Sequence, residues 1–149
     1  MYLINLLILS FTAAFFGTLI MTIGQEIEIR IKKRPISYTP AIAVFKILRL
    51  DFNRLSKWMK VLLSYVVHFG YGTMLGFPLA FFEYFGFMDV YVVLLVYFLI
   101  VWIQGLIVVP LLGIAGPPWT WGVNAILTEM LHKAVYAIAT LIIFTSLVI

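Results

Sequence analysis

Glu129, His132 and Lys133 stand within five residues of one another in a stretch that is otherwise largely apolar, and His68 and Gln104 stand in two further stretches of the same kind. An ionisable side chain inside a spanning helix costs about 2.5–3.5 kcal/mol on insertion scales, so each of these residues needs a partner or a task. Glu129 precedes Lys133 by four residues, the favourable order for an ion pair on one helix. His132 is adjacent to both, and His68 is the expected cross-helix partner of Glu129. Three chemistries compete for this set. The first is a self-neutralising cluster that fixes helix register. The second is a proton or ion pathway, because acids and histidines in membranes often form relays. The third is a b-type haem with His68 and His132 as axial ligands.

Other chemistries lack their residues. Glu129-x-x-His132 copies half of a di-iron bundle motif, but that design needs a second such motif and two more glutamates, so no metal site is expected. The chain has no cysteine, which excludes disulfides, thiolate nucleophiles and cysteine-held clusters. It carries no nucleophile and base pair, phosphate loop or dinucleotide fingerprint, so no enzymatic activity is expected.

Positioning these residues falls to helices. Of 149 residues 64% are hydrophobic and 11% charged, too few charges to cover a water-soluble surface. Four apolar stretches, at about 2–24, 61–82, 89–111 and 121–147, each supply the roughly 20 residues that cross a hydrocarbon core. Backbone groups in lipid must be satisfied within a helix or a closed barrel, and the alternation of a barrel strand is missing. The expectation is an all-α, single-domain integral membrane four-helix bundle. The first stretch has no basic leader and reads as a retained helix, not a signal peptide.

On helix four, Thr128, Glu129, His132, Lys133, Tyr136 and Thr140 share one face; on helix two, Ser64, His68, Tyr71 and Gly72 share another. Counted from the basic end, His68, Gln104, Glu129, His132 and Lys133 lie about 10–18 Å deep, with Thr18 and Thr22 bordering the same layer. Gly70, Gly72 and Gly76 read as sites of close helix packing. Pro78 and Pro110 are expected to break helices two and three.

Nine of the ten basic residues fall between Arg30 and Lys60, which places the connection 25–60 on the cytoplasmic side and both termini opposite. The net charge of +4 is therefore topogenic, and no nucleic acid partner is expected. Within the connection Ala41, Val44, Phe45, Leu48, Phe52, Leu55 and Trp58 recur at helical spacing after a start near Pro40. An amphipathic helix in the headgroup plane follows, with Lys32, Lys33, Arg34, Lys46, Arg49, Arg54 and Lys57 meeting lipid headgroups.

His68 with Tyr71 and Gly72, the run Pro110 to Gly113, Pro117 with Pro118, and the segment from Thr128 and Glu129 to Tyr136 together resemble the YagU-like inner-membrane proteins. The resemblance implies a prokaryotic cell membrane and a four-helix bundle, and it brings no assigned substrate. The chain departs from that pattern by one extra residue between Gly113 and Pro117 and by a His132 one place closer to Glu129. Small size and the lack of a soluble domain lead to the expected function: a non-enzymatic polytopic protein, an accessory or structural subunit of a larger membrane complex that packs against other subunits or itself. The transporter or proton pathway and the haem protein stand as the alternatives.

Overall fold

The computed structural model describes residues 2–87 and 89–149. Six α-helices follow one another, α1 (Leu3–Lys32), α2 (Thr39–Ile47), α3 (Lys57–Met74), α4 (Phe77–Tyr84), α5 (Val90–Leu111) and α6 (Val123–Val148), with short 3-10 turns at Phe52–Arg54 and Pro118–Thr120. No strand occurs among the described residues. Four helical units, namely α1, α3 continued by α4, α5, and α6, are long and apolar enough to cross a membrane.

The bundle is organised around α1, which packs on α6, α3 and α4. Its buried stripe is made of small residues, Ser10, Ala13, Ala14, Gly17, Thr18 and Thr22, with Leu6 and Met21. Small side chains let two helix backbones approach closely. A Cβ at Gly72 would collide with Thr18, one at Gly76 with the Ser10 carbonyl and Ala14, and one at Gly17 with Thr140. These contacts set an antiparallel register in which four residues up α1 correspond to four residues down α3. Gly72 and Gly76 thus act in packing, whereas the neighbouring Gly70 faces open space.

The helix of α3 and α4 is interrupted at Leu75 and Gly76 because Pro78 cannot donate to the Met74 carbonyl and its ring clashes with it. The Gly76 amide turns instead to Thr73 O (3.0 Å) and the Leu79 amide to Gly76 O (3.0 Å). Gly72 and Leu75 are left with carbonyls that have no helical donor, and buried backbone groups must find one. Tyr136 of α6 donates to Gly72 O at 2.7 Å, while the Tyr97 hydroxyl of α5 lies 3.0 Å from both Leu75 O and the Tyr136 hydroxyl. Both rings are almost fully buried. Past this pair, Leu6, Leu79, Ala80, Val93, Leu141 and Phe144 form an apolar core. Pro110 leaves α5 unbroken, since it falls in the last turn before the helix ends at Leu111.

The amphipathic helix expected to run to Trp58 is shorter. It ends at Ile47, where Arg49 adopts a left-handed conformation (φ 57°) and the Leu50 amide returns to Phe45 O at 2.8 Å. Asp51 then caps the 3-10 turn through the Asn53 amide, and Ser56 caps α3 through the Met59 amide. Local capping by Asp and Ser overrides the apolar periodicity, and Trp58 belongs to α3. Nor does α2 lie free: it packs on α3 and buries Ala41.

Replacing Gly76 with Val should cost about 1–3 kcal/mol through overpacking against rigid backbone. The same change at Gly70 should stay within about 0.5 kcal/mol, as surface substitutions do; equal melting temperatures for the two variants in detergent would refute this register. Tyr136→Phe, which bares the Gly72 carbonyl, should lower stability by about 1–3 kcal/mol, measured in the same melts.

Candidate functional site: a polar cavity at the basic end

At the far end of the bundle α4 touches α5, whereas contacts between α3 and α5 are few. The space between them is a cavity of about 620 Å³, within the range of small-molecule sites. Gly72, Leu75, Val101 and Tyr136 line its inner end, and Pro40, Ala43, Val44 and Ile47 line it from α2. Apolar side chains of α3 and α5, among them Val67, Val108 and Val109, face it from the sides. Polar residues come from α3 (Ser64, Tyr65, His68 and Tyr71) as well as from α1 and α6, which pack on each other.

His68, Gln104, Glu129, His132 and Lys133 all line this one cavity, but their bonds differ from the expected ones. His68 does not meet Glu129. Its Nε2 lies 3.0 Å from the Thr22 hydroxyl, whose own proton goes to Thr18 O at 2.7 Å, so the ring donates from Nε2. His132 Nε2 lies 2.9 Å from Glu28 Oε2. Glu129 holds Lys133 at 3.4 Å, as the four-residue spacing requires. Gln104 turns its amide back to Val101 O at 3.1 Å.

The histidine geometry does not suit a bis-histidine haem. Both Nε2 atoms are engaged by α1, at residues six apart and therefore about 9 Å apart along the helix axis, and do not face a common iron. Among the described residues no three acidic or histidine side chains gather as a metal set.

Glu28 is the residue that sequence reasoning missed. It accepts from Lys32 at 2.6 Å and pairs with Arg34 at 3.6 Å besides His132. A signal for it exists: Glu28 follows the buried Ala14 and Met21 at steps of seven, so it continues the packed face of α1. Glu26 accepts a hydrogen bond from the Tyr65 hydroxyl. Lys32 and Arg34 thus both serve Glu28, Lys133 serves Glu129, and Glu26 is held by Tyr65.

The basic residues expected at lipid headgroups divide in two. Lys32 and Arg34 hold Glu28, and Arg54 holds Asp51 at 3.3 Å. Lys46 donates to Leu112 O at 3.0 Å and Gly113 O at 2.6 Å, a cation on the unpaired carbonyls that end α5. That bond ties α2 to α5. Lys33, Arg49 and Lys57 remain exposed. No family model, curated protein or solved structure matches the chain.

Lys46→Met should free α2 from α5. In a chain without native cysteine, a Val44→Cys reporter should then react several-fold faster with a membrane-impermeant thiol reagent; an unchanged rate would show that the lysine does not hold α2.

Proposed function

We propose that the chain is a multi-pass membrane protein that holds a small molecule in the cavity between α3 and α5. The carrying observation is a cavity of about 620 Å³ that combines ionisable side chains with apolar walls. The expected role as an accessory or structural subunit of a larger membrane complex is compatible with this reading. The excess of Lys and Arg at the cavity end supports a cytoplasmic mouth with both termini on the opposite side.

A proton or ion pathway through the bundle has less support. Past Tyr97 and Tyr136 the core is Leu6, Leu79, Val93, Leu141 and Phe144, and none of the buried residues there is ionisable. Such an arrangement suits binding from one side better than conduction between two. Kinship with the YagU-like proteins and a prokaryotic membrane belong to the same proposal. His68, Tyr71, Gly72, Thr128, Glu129 and Tyr136, which carry that resemblance, all line the cavity.

A side chain added at Gly105 would start 3.7 Å from Glu129 Oε1 and 4.0 Å from Lys133 Cε, so Gly105→Leu should fill the site and leave the helix intact. Native mass spectrometry of gently extracted protein should find a bound small molecule on the wild type and at least tenfold less on Gly105→Leu. Wild-type protein that emerges bare, or equal occupancy of the two, would sink the proposal.

A further inference from the structure

The charges and the outer surface of α5 narrow the occupant, given that the cavity is a binding site as proposed above. Of the three carboxylates at the cavity, Glu28 is held by three cationic or histidine groups and Glu26 by Tyr65. Glu129 has Lys133 alone, at 3.4 Å, and its side chain is 34% exposed against 18% for Glu28. Glu129 is therefore more open than Glu28, and Lys133, 14% exposed, is its single cationic partner.

An anionic ligand would take Lys133 and leave Glu129 without its cation, and a cationic one would leave Lys133, 14% exposed, without its acid, which is unfavourable. A zwitterion can satisfy both. Residues at i and i+4 stand about 5–6 Å apart at Cβ, a scale that an aminoalkyl phosphate spans.

The second observation lies on the outer face of α5. A groove of about 340 Å³, lined by Val96, Leu99, Ile100, Ile103, Gln104 and Ile107, runs along this helix, and Gln104 lines the groove and the cavity alike. From Val96 to Ile107 the groove covers about 16 Å, the middle part of α5 (Val90–Leu111). Apart from Gln104 its lining is aliphatic. A polar head at Glu129 and Lys133 and a hydrocarbon chain in the groove would be joined past Gln104, through the side where contacts between α3 and α5 are few.

We infer that the cavity takes a zwitterionic amphiphile of the aminoalkyl-phosphate class, with its ammonium on Glu129, its phosphate on Lys133 and its acyl chain along the α5 groove.

The test titrates detergent-solubilised full-length chain with phosphatidylethanolamine, phosphatidylglycerol and free phosphoethanolamine, read by native mass spectrometry. Phosphatidylethanolamine should bind as one saturable copy at least tenfold tighter than phosphatidylglycerol, and Glu129→Gln and Lys133→Gln should each remove that preference. Tight binding of free phosphoethanolamine would overturn the amphiphile part, and equal affinity for the two lipids would overturn the zwitterion part. Wild-type protein alone gives a second reading should the variants fail to fold. A phosphatidylethanolamine with a photoreactive acyl chain should crosslink to the 96–107 segment, and labelling spread evenly over all helices would overturn the groove assignment. If these tests fail while another molecule is still displaced by Gly105→Leu, the cavity reading stands and only the ligand class falls; if no displaceable molecule exists, both fall.

Discussion

A kinked helix buried away from water must hand its freed carbonyls to other donors, and this chain does so with two tyrosine hydroxyls. Pro78 opens the break; Tyr136 and Tyr97 close it on Gly72 and Leu75. Because the tyrosines come from α6 and α5, one local defect in α3 and α4 draws three transmembrane-length units to a common point. That point divides the bundle. One side is apolar and packed, and on the other α3 and α5 part to leave the cavity. The cavity is thus a consequence of where the kink is anchored, and its inner end is the same Gly72 and Tyr136 that satisfy the backbone.

On the open side α1 does for the polar side chains what the tyrosines do for the backbone. Thr22, Glu26 and Glu28 supply partners for His68, Tyr65 and His132 respectively. A single helix can serve both neighbours because its small residues bring it close to each, Thr18 against Gly72 and Gly17 against Thr140. The result leaves Glu129 and Lys133 with each other.

Much of this was legible in the residues. Four stretches long enough to span predict the four long units, since apolar length decides helix existence in such a chain. The spacing of Glu129 and Lys133 fixes their pairing from helix geometry alone. The partner of His68 was not legible, because a cross-helix bond depends on relative rotation and register, which here come from the fit of Thr18 on Gly72. Glu28 was missed because it falls beyond the apolar stretch 2–24, in the connection 25–60, although steps of seven from Ala14 keep it on the packed face. The amphipathic segment misled because its apolar period persists through Phe52 and Leu55, while Asp51 and Ser56 cap separate turns and fold Phe52 back against Phe45.

The length of α1 has a consequence of its own. Its 30 residues measure about 45 Å, some 15 Å more than a hydrocarbon core of about 30 Å. In the proposed embedding the surplus lies at the end that carries Glu26 and Glu28, so the waterline crosses the helix near these acids. A thicker bilayer or a greater tilt of α1 would submerge them and a thinner one would lift them clear. Hydration of the carboxylate beneath His132 is in this way coupled to the thickness of the surrounding membrane.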